Sequence, residues 1–288
     1  MPQLRNTIGV TAVLGACNMK TRIITGTLLS TVLLLAVFVL PKLVAVLLIC
    51  VFSALAAYEL LYPTQLVRHI RLVIYSMLAA FLVPLWCWLG MPHSWGLLGM
   101  LAFVAALFGE MMGSGGKLPV QKVALCLVAG LLLPYLFAAL IRIFALEQGR
   151  FLLMIPCILS FIPDSGAYFV GSFFGKHKLA PVLSPKKTVE GAIGGVVTGV
   201  LAVMLYALIL HLGFSLQVNY LYAAIYGLVA SLADIFGDLM FSAIKRQTGL
   251  KDYGNLFPGH GGILDRFDSI MIVAPLSEAL LILIPMVV

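Results

Sequence analysis

Long apolar runs, each close to the thickness of a lipid bilayer, constrain this chain more than any other feature. A helix crossing the hydrocarbon core needs about 20 consecutive, mostly apolar residues. Nine stretches reach that length, roughly 22–40, 43–62, 70–90, 94–113, 121–145, 151–172, 191–212, 219–242 and 263–287. The chain is 62% apolar and 10% charged, against about 45–50% and about 25% in soluble domains. A water-soluble fold of 288 residues has no interior large enough to hide that surface. In lipid, backbone polar groups must be satisfied within the segment, so each run is expected to be helical. The expectation is an all-α, polytopic membrane protein of about nine transmembrane helices.

A net charge of +7 would suggest a nucleic-acid partner in a soluble protein. In a membrane protein it has another cause, because cytoplasmic loops collect Lys and Arg; no nucleic-acid partner is expected. With a cytoplasmic N-terminus and nine alternating spans, all of the 18 basic residues except Lys42, Arg142 and Arg150 fall on the cytoplasmic side. That arrangement puts the charged loops 173–190 and 243–262 where soluble nucleotides are found. Residues 1–18, ahead of Met19, Lys20 and Arg22, read as an extension outside the fold. Residues 19–150 read as scaffold helices and 151–288 as the catalytic membrane region. Glu59 and Glu110 lie near span ends, where ionisable groups tend to reach water. Cys17, Cys50, Cys87, Cys126 and Cys157 show no metal or disulfide spacing and read as small apolar fillers.

Carboxylates are scarce, and seven of the 11 acidic residues fall between 164 and 268. Asp234 and Asp238 are four apart within the eighth run and so share one helical face, which Ser231 and Ser242 extend. Asp265 and Asp268 are three apart at the start of the ninth. A charge at the bilayer centre costs about 2.5–3.5 kcal/mol on insertion scales, so such groups usually serve function. Carboxylate faces joined by a short loop suit a hard divalent cation such as Mg²⁺, which takes one or two carboxylates and completes its shell with water and phosphate oxygens. Lys245, Arg246, Lys251 and Arg266 then fit as neutralisers of a polyphosphate, and the FPGHGG segment offers backbone N–H groups to phosphate. No Walker A pattern is present, which excludes a P-loop enzyme.

The second loop carries Ser184, Pro185, Lys186, Lys187 and Thr188, expected at the N-terminus of the seventh helix, where free N–H groups favour an anion. Glu190 is expected to cap that helix. Gly191, Gly195 and Gly199 at four-residue spacing read as a close-packing seam. Asp164 and Ser165 either line the same cavity or hydrogen-bond a loop.

The run Ser242, Lys245-Arg246, Lys251-Asp252, His260-Gly261-Gly262, Asp265-Arg266 and Asp268 resembles the signature of CDP-diacylglycerol synthases, also called phosphatidate cytidylyltransferases, without visible departure. DSGAYFVG, GKHKLAPVLSPKKTVEG and ADIFGDL resemble further blocks of that family, so the likeness covers about residues 155–270. It implies that CTP and phosphatidate are converted to CDP-diacylglycerol and diphosphate with Mg²⁺, accompanied in this family by a monovalent cation such as K⁺. Carried over by position, Asp238, Asp265 and Asp268 would hold the metal, and Lys245 would bind phosphate. Ser184, Lys186, Lys187, Thr188, Ser242, Arg246, Lys251 and Arg266 would contact substrate. His260 would either assist departure of diphosphate or order its loop. The resemblance also implies a homodimer in the cell (inner) membrane with its active site facing the cytoplasm. A transporter is the competing class, since buried carboxylates also mark ion pathways. Concentration of phosphate-type chemistry at one face, without an inverted repeat, speaks against it.

Overall fold

The computed structural model describes residues 31–256, apart from 33 and 36, and 261–287. Among these, seven helices are long and apolar enough to cross a membrane. They are α1 (Lys42–Leu61), α2 (Ile70–Leu89), α3 (His93–Gly113), α4 (Val120–Ala145), α5 (Gly149–Phe174), α6 (Val189–Phe214) and α7 (Tyr220–Gln247). Each coincides with one of the expected runs to within a few residues. The run 22–40 and the extension 1–18 fall largely or wholly outside the described residues. The last run forms a single turn, α8 (Leu264–Phe267), and a helix, α9 (Ile270–Leu283). Asp268 and Ser269 between them keep helical φ and ψ, so the backbone stays helical from Ile263 to Leu283, and its first turn lies in the site described below.

The long helices are not all regular. In α4 a π-helical stretch, Val128–Leu132, precedes Pro134, and the Leu133 N–H reaches back to the Val128 carbonyl. Proline has no N–H and clashes with the carbonyl four residues earlier; the wider π turn accommodates it. Gly130 in that turn lies against Phe103 and the Ser76 backbone, leaving no room for a side chain.

The loop after α5 is a correction to the all-α expectation. Residues Lys178–Ala180 (β1) and Ser184–Thr188 (β2) pair as an antiparallel hairpin, with Lys178 opposite Thr188 and Ala180 opposite Ser184. Ser184 to Thr188 therefore form a strand leading into α6 rather than its first turn. Thr188 is the N-cap, its Oγ1 accepting the Gly191 N–H at 3.1 Å. Glu190, expected as the cap, bonds its own backbone N–H in the first turn of α6 and also orients the hairpin entrance. Its carboxylate accepts the backbone N–H groups of Lys176 and His177 and lies 2.6 Å from His177 Nδ1.

The expected glycine seam is present. A Cβ on Gly195 would stand 2.9 Å from the Pro163 carbonyl, and one on Gly191 2.8 Å from the Ala167 carbonyl, so α5 and α6 touch backbone to backbone. The seam continues to α7, where Gly199 faces Ser231 and Gly227 faces the Val200 backbone. Asn219 caps α7 by accepting from the Leu221 and Tyr222 N–H groups, and its own N–H donates to Met286, which ties the start of α7 to the far end of α9. Cys50, Cys126 and Cys157 are buried, whereas Cys87 is half-buried and accepts from Arg142 at 3.7 Å; Cys17 lies outside the described residues.

The two ends of the bundle differ in chemistry. Lys42, Arg142 and Arg150, the three exceptions to the charge asymmetry, share one end. Lys42 Nζ donates to the Phe144 carbonyl at 3.3 Å, and Arg150 to the Phe38 carbonyl at 2.6 Å. Arg142 makes a two-pronged pair with Glu278 of α9 at 2.6 and 2.7 Å. The hairpin, the 248–256 segment and α8 lie at the other end. There the Arg246 Nε donates to the Leu183 carbonyl at 3.1 Å.

Candidate active site

Two lysines, each set among carboxylates, organise the hairpin end of the bundle. The first is Lys245, on the last turns of α7. Its Nζ lies 3.0 Å from Asp265 Oδ1 and 3.9 Å from Asp268 Oδ2, and 5.3 Å from the centre of the Tyr253 ring. The second is Lys187 of β2, which pairs with Asp238 of α7 and lies 3.9 Å from Asp164 of α5. Burial works against the Lys187 charge, but Asp238, Asp164 and Asp234 outweigh it and hold its pKa above the usual lysine value. The two nests adjoin: Asp268 lies within electrostatic reach of both Lys245 and Asp238, and Ser269 Oγ donates to the Asp234 carbonyl at 3.2 Å.

Asp265 does more than pair with Lys245. Its Oδ2 accepts the N–H of Tyr253 at 2.7 Å and of Gly262 at 3.0 Å. One carboxylate therefore fastens both ends of the loop between α7 and α8. Gly261, at φ +82°, adopts the left-handed backbone that glycine tolerates, with the Asp265 side chain pressed against it. Tyr253 is buried, and its hydroxyl donates to the Phe241 carbonyl at 2.9 Å.

The anchor beneath this loop comes from the half of the chain expected to be plain scaffold. Glu59 of α1, expected to reach water, is 5% exposed. Its Oε1 and Oε2 accept the N–H groups of Ile263 and Leu264 at 3.0 and 2.8 Å. Gly254 and Gly262 pack so closely on this carboxylate that neither position has space for a Cβ. The signal was present in the sequence, since Glu59 is the only charged residue in the run 43–62. Glu110 is half-buried and accepts from the exposed Arg71 at 3.2 Å and from the Tyr75 hydroxyl at 3.3 Å.

Other expected site residues divide by what already engages them. Asp164 joins the Lys187 nest, whereas Ser165 donates to the Phe161 carbonyl in its own helix. Thr188 is taken up as a cap and Arg246 by the backbone carbonyls of Leu183 and Leu250. Ser242 is buried one turn before Lys245 on the same face. Lys186, Lys251 and Arg266 are exposed around the rim. His260 lies outside the described residues.

The donor set has the chemistry for a hard cation. Five carboxylates, of Asp164, Asp234, Asp238, Asp265 and Asp268, face two ammonium groups. Asp234 is 1% exposed, and neither of its oxygens has a hydrogen-bond partner among the described residues. A buried, unpartnered carboxylate is costly unless a positive charge answers it. Among the described residues no three Asp, Glu, His or Cys side chains converge closely enough to ligate one ion by themselves.

Carboxylates and lysines thus gather at the hairpin end of a helical bundle with seven helices long and apolar enough to cross a membrane. The chain belongs to the cytidylyltransferase family, whose model matches residues 20–284. It is 36% identical over 276 residues to a phosphatidate cytidylyltransferase of Bacillus subtilis (strain 168), covering 92% of this chain and 98% of that protein. It is also 43% identical over 136 residues to the phosphatidate cytidylyltransferase of Staphylococcus aureus (strain COL), covering 47% of this chain and 51% of that one.

Proposed function

We propose that this protein is a phosphatidate cytidylyltransferase, joining CTP and phosphatidate into CDP-diacylglycerol with release of diphosphate. The observation that carries the reading is the pair of adjoining lysine–carboxylate nests at the hairpin end of a family member's membrane bundle. A phosphate oxygen of phosphatidate attacks the α-phosphorus of CTP in line, a new P–O bond forms, and the bond to the β-phosphate breaks. Phosphatidate is already anionic at neutral pH, so no activated serine is needed, and catalysis rests on positioning and charge neutralisation.

Asp238, Asp268 and Asp265 hold Mg²⁺ in this proposal. Asp265 contributes chiefly by fixing Lys245 and the loop, since Tyr253, Gly262 and Lys245 already occupy most of its acceptor capacity. When bound, Mg²⁺ neutralises phosphate oxygens as charge moves to the leaving diphosphate. Lys187 and Lys245 supply fixed positive charge beside the phosphates, with Lys186, Lys251 and Arg266 at the rim, and a monovalent cation such as K⁺ completes the charge balance. Ser184 and Ser242 lie beside these groups as hydrogen-bond donors to phosphate, and His260 orders the loop or aids departure of diphosphate.

The site faces the cytoplasm of the inner membrane, with a cytoplasmic N-terminus and nine spans in all, the seven long helices being joined by the run 22–40 and by α8–α9. The clustering of Lys42, Arg142 and Arg150 at the opposite end supports that orientation. The working form is a homodimer in the bilayer. Release of diphosphate from labelled CTP by purified protein, dependent on both phosphatidate and Mg²⁺, tests the reading. Flux of an ion without turnover of CTP would instead indicate a transporter.

A further inference from the structure

A hollow of about 430 Å³ lies between the cytoplasmic end of α1 and the loop segment 250–256, outside the lysine–carboxylate nests. Its volume falls in the range of about 300–1,000 Å³ usual for small-molecule sites. Tyr58 forms one wall, stacked on Tyr62 with ring centres 5.6 Å apart, and Leu55 and Pro63 add apolar surface. Asp252 and Asn255 stand on the loop side. Both are exposed, and neither side chain has a hydrogen-bond or ion-pair partner among the described residues. Glu59 also borders the hollow, but the N–H groups of Ile263 and Leu264 occupy its carboxylate. Among the described lining residues, Asp252 and Asn255, with the Tyr58 hydroxyl, are the side-chain polar groups left to recognise a ligand.

We propose that this hollow receives the cytosine base of the nucleotide, with Asp252 and Asn255 reading its polar edge against the Tyr58 wall. The inference rests on the CTP-dependent reading above. Cytosine offers an exocyclic amine as donor and a ring nitrogen and carbonyl as acceptors. The Asp252 carboxylate accepts from the amine, and the Asn255 amide donates to the acceptors. Uracil carries a carbonyl where cytosine carries the amine, so the same carboxylate repels it; discrimination comes from an unfavourable contact as well as a favourable one. Tyr253 joins the two subsites: it lines the hollow, its N–H donates to Asp265, and its ring lies beside Lys245. In this proposal the base lies on one side of the buried Tyr253 and the phosphates on the other.

The test compares CTP with UTP as substrates for the purified full chain and for Asp252→Asn. This near-isosteric change at an exposed loop position leaves Asp265 and both lysines in place. The ratio of kcat/KM for CTP over UTP is expected to fall about tenfold or more, the size of one hydrogen bond to a charged group. An unchanged ratio, or equal loss with both nucleotides, overturns the proposal. Leu55→Trp, which fills the hollow from α1, is expected to raise KM for CTP about tenfold and leave KM for phosphatidate unchanged; an unchanged KM for CTP counts against the site. If the wild-type protein makes no CDP-diacylglycerol, the enzymatic reading has failed. Equilibrium dialysis with labelled CTP and UTP then decides on the hollow alone: a preference for CTP that Asp252→Asn abolishes supports it, and one that survives the change overturns it.

Discussion

Lys187 and Lys245 are tethered cations, and what surrounds each determines which neighbouring groups are free for chemistry. Lys187 keeps a raised pKa because three aspartates offset its burial, so it stays an ammonium until the pH rises through that raised value. Its charge is therefore complete at neutral pH. Replacing it with Met leaves Asp164, Asp234 and Asp238 without their shared counter-charge, and a loss of about a hundredfold or more in kcat/KM is expected, measured as CDP-diacylglycerol formation. Asp265→Asn breaks the Lys245 pair and swaps one loop acceptor for a donor. It is expected to abolish product formation while the protein still inserts; near-normal turnover would remove Asp265 from the site. Glu59→Gln keeps one acceptor for the two N–H groups of Ile263 and Leu264, whereas Glu59→Ala keeps none. Activity is expected to fall roughly tenfold in the first and further in the second, with Gln partly rescuing Ala.

Helices were legible in the sequence where one strong requirement governed them. The bounds of α1 to α6 follow closely from apolar length, because lipid leaves each run no other way to satisfy its backbone, whereas α7 runs on past 242 through Lys245 and Arg246 to Gln247. The β1–β2 hairpin was not legible, since strands of three and five residues carry too little pattern to stand out beside lysines and prolines. What holds the start of the last run was hidden as well, because the carboxylate that accepts the Ile263 and Leu264 N–H groups comes from Glu59 of α1. The site was half legible: Asp238, Asp265, Asp268 and Lys245 stood out as charges in apolar surroundings, but their partners, Glu59 and Lys187, come from distant elements that spacing cannot relate. The glycine seam could be read, and it is testable. Gly195→Val forces a side chain against the Pro163 carbonyl, and a destabilisation of about 1–3 kcal/mol is expected from thermal unfolding in detergent.

At the scale of the whole molecule, the fold brings the second half of the chain over the ends of the first, so that a loop near the C-terminus is fixed by a carboxylate from α1. In the proposed function the lipid stays in the bilayer while the triphosphate arrives from water, and both reach the same end of the bundle. Lys117, exposed in the turn between α3 and α4 and away from both nests, serves as the control; Lys117→Gln is expected to leave activity within about twofold, as for most surface changes. The most direct test of the account uses sealed vesicles of known orientation containing phosphatidate, with membrane-impermeant labelled CTP added outside. Inside-out vesicles, which expose the cytoplasmic face, are expected to form labelled CDP-diacylglycerol, and intact right-side-out vesicles are expected to form it only after permeabilisation. Equal product from both sealed preparations, or product only from the right-side-out ones, would contradict a cytoplasm-facing site shared by nucleotide and lipid.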